Sequence, residues 1–178
     1  MVKTVIWFMF AVIVTQRLVE LAVARRNRLW ACRAGAREFG AGHYRCFFLL
    51  HAIWLAGWVV EGSLYNNLSA VWYVWLGVFL SAQIVRYWCI ASLGRHWNTR
   101  ILIIPGSTLI RRGPYRMLKH PNYLAVAVEL MSVPMIFGAT ITAVLATMAN
   151  AVLLLYVRIP AEEQAFQVLA ATETEKEL

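Results

Sequence analysis

The chain of 178 residues contains no aspartate: its nine acidic residues are all glutamate. That absence excludes the Asp-based metal loops and the Asp-containing catalytic triads. Charge is scarce as well, at 15% of residues, where a soluble domain carries roughly 25%. The three cysteines, Cys32, Cys46 and Cys89, form no C-x-x-C pair, so they suggest neither a disulfide framework nor a zinc knuckle and read as small apolar fillers. Gly35, Gly40 and Gly42 do not make G-x-G-x-x-G, and neither a P-loop nor a nucleophile elbow occurs. A nucleotide-type cofactor is therefore not held on a Rossmann turn, and no metal site is expected. Repeats, low-complexity tracts and Gly/Ser/Pro linkers are missing too, which makes residues 1–178 a single domain.

What the chain has instead is apolar length. Hydrophobic residues make up 61% of it, and five stretches, 5–24, 44–60, 70–93, 122–137 and 141–157, approach the roughly 20 residues that cross a bilayer. The expected fold is all-α: a polytopic integral membrane protein with about five transmembrane helices, three of them within 1–93. Residues 94–178 then hold polar loops, the last two spans and a Glu/Thr-rich tail at 172–178. The net charge of +8 is concentrated in two connections. Arg25, Arg26, Arg28, Arg33 and Arg37 fill the first; Arg95, Arg100, Arg111, Arg112, Arg116 and Lys119 fill the third. The second and fourth lack Lys and Arg, so the positive-inside rule predicts an outside N-terminus and a cytoplasmic C-terminus. Ala22-Val23-Ala24 has the form of a signal cleavage site, but cleavage would leave the arginine cluster on the wrong side. Beside spans, these arginines suit lipid headgroups rather than nucleic acid.

Two polar segments stand out. The interval 94–121 is longer than a connection requires and carries His96, Asn98, Arg100, Gly113-Pro114-Tyr115-Arg116 and Lys119-His120-Pro121-Asn122-Tyr123. Pro121 suits a helix first turn. His120 and Tyr123 then lie at i and i+3, beside free N–H groups that favour an anion. An interfacial anchor of Tyr115, His120 and Tyr123 is the alternative. The fourth span is short, which places its polar start below the membrane surface, and a neighbouring helix must satisfy the carbonyl freed by Pro134. The second segment, Arg158-Ile159-Pro160-Ala161-Glu162-Glu163, sets Arg158 and Glu162 four apart in the less favourable order, with Pro160 disturbing the turn between them. Both side chains are thereby left for ligands or for a structural pair. Within the spans, Arg17 and Glu20 read as a mutual pair, Glu129 as a neutral or catalytic carboxyl, and His51 and Asn150 as interhelical hydrogen-bonders. Trp54, Trp58, Trp72 and Trp75 read as belt or packing residues.

Gly113-Pro114-Tyr115, His120-Pro121-Asn122-Tyr123 and Arg158-x-x-x-Glu162-Glu163 together resemble the isoprenylcysteine carboxyl methyltransferase family, over about 98–163. Members are integral membrane enzymes that bind S-adenosylmethionine without a Rossmann fold and methylate lipid-linked acceptors. The resemblance implies cofactor contacts from Tyr115, His120, Pro121, Asn122, Tyr123 and Glu162, with Ser107, Thr108, Leu109, Ile110 and Arg100 completing the wall. It implies that Arg158 faces the acceptor, so that Arg158, Glu162 and His120 carry the catalysis. Lys119 stands where the family commonly has arginine. The compact arginine-rich loops resemble the bacterial branch, some of whose members methylate hydroxyls on polyketide lipids. The acceptor expected is thus a carboxylate or hydroxyl on an isoprenoid or polyketide-type lipid. An NADPH-dependent reductase of the steroid-reductase type and a non-enzymatic scaffold or transporter are the competing readings.

Overall fold

A computed structural model describes residues 1–108 and 110–174, with side chains described through residue 168. Helix α1 runs Val2–Arg33, 32 residues and roughly 48 Å by helical rise, well beyond roughly 30 Å of hydrocarbon. It passes the expected end at residue 24 because nothing in 25–33 breaks a helix: the arginines there are good helix formers, and the first glycine is Gly35. A short strand β1, Arg37–Phe39, leads to α2, Tyr44–Tyr65, and then α3, Trp72–Leu93. Strand β2, Ile101–Ile103, precedes α4, Pro121–Ile136. Helix α5, Thr140–Leu153, widens into one π-turn, Leu154–Arg158, and continues as α6, Ile159–Thr174. Pro160 accounts for the π-turn: its ring and missing N–H cannot follow the normal ladder back to Tyr156, and a widened turn absorbs the misfit.

Four helical stretches, 2–33, 41–65, 72–96 and 140–168, are long and apolar enough to cross a membrane, and α4 is a shorter apolar fifth. The protein is an all-α polytopic membrane protein as expected, with one addition. Strands β1 and β2 pair antiparallel, Arg37 opposite Ile103 and Phe39 opposite Ile101. Three-residue strands carry too little alternation to be read from sequence.

Helix α4 lies at the centre, packed against α2, α3 and α5. Pro121, Ala125, Glu129, Leu130, Ser132, Val133, Pro134 and Ile136 are buried on it. The carbonyl of Leu130, which Pro134 leaves without its helical donor, accepts the indole N–H of Trp54 from α2 at 3.0 Å. The neighbouring helix thus supplies the missing bond, as the sequence requires. Trp58 stacks on Phe137 at 5.3 Å, and both are fully buried with Ile6 and Ile13 of α1. At that end Glu61 of α2 caps α5, accepting the N–H groups of Ile141 and Thr142 at 3.0 and 2.8 Å and the Thr142 hydroxyl at 2.7 Å.

One expectation is extended and two are corrected. Arg17 does bond Glu20, at 2.7 Å, but the pair belongs to a larger buried group with Arg86 of α3 and Glu129 of α4. His51 bonds the Phe47 carbonyl of its own helix at 2.8 Å rather than a neighbouring helix. Asn150 is buried, and its Nδ2 has no partner among the described residues. Of the cysteines, Cys89 is buried, while Cys32 and Cys46 are exposed.

Candidate active site

At the end of the bundle where α3 stops and α4 begins, the third connection folds back as the wall of a cavity of about 800 Å³. Gly94 ends α3 with a positive φ of 53°, which favours glycine, and turns the chain towards β2. Strand β2 and α6 enclose a second, smaller core in which Ile101, Ile103 and Ala165 are buried against Phe39 and Ala161. Residues 113–116 then lie against α3. Gly113 is required there: a Cβ on it would fall 2.1 Å from Ser92 Oγ and 2.8 Å from Trp88 Nε1, and its φ is +53°. This close approach puts Tyr115 beside the buried Cys89. Burial above all, with Cys89 adding to it, pushes the Tyr115 phenol up from its ordinary range, so it stays protonated.

Pro121 starts α4 at its first position with His120 as the preceding cap residue, as the sequence predicts. The His120 and Tyr123 rings stack at 5.1 Å and 10°, and the Tyr123 hydroxyl donates to Glu162 Oε2 at 2.6 Å. Arg158 Nε donates to the same Tyr123 oxygen at 3.1 Å, and His120 Nδ1 stands 4.0 Å from Glu162 Oε2. Arg158 and Glu162 thus meet through a phenol on another helix. The π-turn that ends at Arg158 re-aims this side chain, which is 8% exposed. At the rim, Lys119 bonds Glu163.

The cavity is lined by Arg100, Ser107, Thr108, Ile110, Tyr115, His120, Asn122, Tyr123, Arg158 and Glu162, all singled out from sequence. Pro121 is buried behind it, serving the helix start instead of facing the cavity. Leu109 lies outside the described residues. His96, Trp97, Asn98, Phe166 and Gln167 also line the cavity. Of these, His96, Trp97 and Asn98 lay in the polar interval, whereas Phe166 and Gln167 gave no local signal. Arg100 is held from the first connection, paired with Glu38 and set 4.4 Å over the Tyr44 ring. Three buried polar atoms of the lining, Trp97 Nε1, His120 Nε2 and Asn122 Oδ1, have no hydrogen-bond partner among the described residues. Unpaired polar atoms around a cavity of this volume fit a polar ligand of nucleoside size.

The isoprenylcysteine carboxyl methyltransferase (ICMT) family matches residues 75–168, the segment that builds this cavity. The chain belongs to that family. Membership implies membrane methyltransferase activity, and ICMT members use S-adenosylmethionine as methyl donor. The chain is 43% identical to the uncharacterised protein YpbQ of Bacillus subtilis (strain 168) over 164 residues, 90% of this chain and 96% of YpbQ. It is 25% identical to an uncharacterised protein of Haemophilus influenzae (strain ATCC 51907 / DSM 11121 / KW20 / Rd) over 162 residues, 90% of this chain and 94% of that protein. No solved structure matches it significantly.

Proposed function

We propose that this ICMT-family protein transfers a methyl group from S-adenosylmethionine to a carboxylate or hydroxyl oxygen of a lipophilic acceptor, isoprenoid or polyketide-type, at the cytoplasmic face of a bacterial plasma membrane. One observation carries the reading: both motifs, far apart in sequence, line a single cavity and are joined by the Arg158–Tyr123–Glu162 hydrogen bonds. The orientation is supported by the arginine-rich first and third connections meeting at the cavity end through the β1–β2 pair.

When bound, S-adenosylmethionine supplies an electrophilic methyl on a sulfonium. The Glu162 carboxylate suits the cationic part of the donor, and Tyr123, by donating to Glu162, keeps that carboxylate turned into the cavity. Arg100, Ser107, Thr108 and Ile110 form the wall beside it, with Tyr115 as a neutral hydroxyl and with His120, Asn122 and Tyr123 at the helix start. Pro121 sets that start. Arg158 uses Nε on Tyr123 and has Nη1 and Nη2 left to orient an acceptor oxygen. A carboxylate acceptor is already ionised at neutral pH and requires no base. For a hydroxyl acceptor, the proton passes to His120, whose Nε2 has no partner among the described residues while Nδ1 faces Glu162. In-line displacement in a site shielded from water then depends mostly on holding nucleophile and methyl collinear.

The test is calorimetric titration of purified protein with S-adenosylhomocysteine and, separately, NADPH, followed by mass spectrometry of lipids from cells with and without the gene. Heat with S-adenosylhomocysteine and a gene-dependent lipid heavier by one methylene are expected. Heat with NADPH alone would favour the reductase, and silence with both would refute an enzyme of either kind.

A further inference from the structure

The part of the cavity wall in residues 94–98 is fastened to α1, which lies outside the family-matched segment 75–168. Ala24, Asn27 and Trp30, spaced by three, fall along one face of α1, and each meets a different part of that wall. The Ala24 carbonyl accepts Asn98 Nδ2 at 3.0 Å. Asn27 Nδ2 donates to two carbonyls, Gly94 at 3.1 Å and Trp97 at 2.7 Å. Trp30 stands edge-on to His96 at 5.1 Å. Asn27 is only 7% exposed and Trp97 only 3%.

This is an unusual use for an asparagine on the extension of a membrane helix. Its amide nitrogen carries two hydrogens in one plane, enough to satisfy two carbonyls at once. Those carbonyls bracket the single turn, Gly94–His96, that delivers His96 and Trp97 to the cavity. Aspartate has the same shape but no N–H, and would set a negative charge against both carbonyls. The next tie along the wall also comes from the N-terminal half, where Glu38 bonds Arg28 at 3.0 Å and pairs with Arg100.

We propose that Asn27 is a positioning residue for the methyl-donor pocket. By fixing the turn 94–97 it places the His96 and Trp97 side chains against the donor, and so sets donor affinity rather than the rate of transfer. The proposal rests on the methyltransferase reading. A displaced wall weakens ground state and transition state alike, which raises KM and leaves kcat in place.

The test compares full-length wild type and Asn27→Asp in detergent micelles, by S-adenosylhomocysteine calorimetry and by steady-state kinetics against each substrate. Loss of the two buried hydrogen bonds is expected to raise the S-adenosylhomocysteine Kd and the donor KM roughly tenfold. The kcat and the acceptor KM are expected to stay within about twofold. A merely structural role would reduce the amount of active protein at unaltered Kd and donor KM, and that result overturns the proposal. Should Asn27→Asp not yield folded protein, Asn27→Ser removes the same two hydrogen bonds without adding a charge. A smaller rise in Kd is expected there, and an unchanged Kd again overturns the proposal. Absence of heat with the wild type refutes the methyltransferase reading itself, whereas wild-type binding with unchanged variant affinities removes only the role of Asn27.

Discussion

The buried charges of the membrane core give the sharpest stability prediction. Arg17, Glu20, Arg86 and Glu129 come from three helices, and Glu129, Glu20 and Arg86 are 1%, 5% and 6% exposed. Arg86 donates twice to Glu20, from Nε at 2.7 Å and Nη2 at 2.5 Å, and lies 3.7 Å from Glu129. Arg17 donates to Glu20 at 2.7 Å and also to Glu129. Two cations face two anions, so the group is neutral as a whole and intolerant of losing one member. Arg86→Met leaves two carboxylates sharing one guanidinium. Breaking a buried pair in this way costs about 3–5 kcal/mol. Glu20→Gln leaves two guanidinium groups on Glu129 and is expected to cost a similar amount. The double variant Arg86→Met/Glu20→Gln removes one charge of each sign and keeps the Arg17–Glu129 pair. Its loss should therefore fall short of the sum of the two single losses by about 2–3 kcal/mol, the coupling between the two sites. Unfolding in mixed micelles titrated with dodecyl sulfate and followed by tryptophan fluorescence measures all three. A double variant that loses the sum of the single losses would refute the claim that charge balance, rather than each separate contact, holds these helices.

Other outcomes follow from the site. Tyr123→Phe removes the oxygen that both restrains Glu162 and accepts from Arg158, and S-adenosylhomocysteine affinity measured by calorimetry should fall about tenfold, the worth of one charge-assisted hydrogen bond. Unchanged affinity would mean that Glu162 needs no such restraint. Arg158→Ala should abolish turnover of the acceptor while S-adenosylhomocysteine affinity falls by less than about tenfold. Equal loss of both would contradict the division of roles between Arg158 and Glu162. Cys32, exposed near the cavity end of α1, should resist a membrane-impermeant maleimide in intact spheroplasts and react once the membrane is opened. Labelling before lysis would reverse the proposed orientation.

The spans were legible because each rests on a local apolar run, and so was the need for a partner at Leu130, since Pro134 announces a missing N–H. That the donor is Trp54, on another helix, could not be read from local pattern. Arg86 is different: an arginine within an apolar span is as anomalous as Arg17, and the same rule applied to residues 70–93 would have flagged it. The motif residues of the site were legible through chemistry concentrated in two short segments. Trp97 and Asn27 were not, because an indole beside a membrane reads as a belt residue and an asparagine among arginines as a solvated one. Only the packing of α1 on the turn 94–97 joins the two, through the hydrogen bond from Asn27 to the Trp97 carbonyl.

Helix length explains why a cavity exists at this end. With 16 residues α4 spans roughly 24 Å, half the roughly 48 Å of the 32-residue α1. A central helix shorter than its neighbours leaves a recess over its start, with His120, Asn122 and Tyr123 on the floor. The last turns of α1 hold one wall, α6 forms another, and the β1–β2 pair ties the two together. In this arrangement the polar groups of the site lie below the tips of the surrounding helices. On the proposed function that depth has a chemical use: an acceptor anchored by its lipid tail need rise only a short way out of the bilayer to bring an oxygen to Arg158, and the displacement proceeds where little water competes for the methyl group.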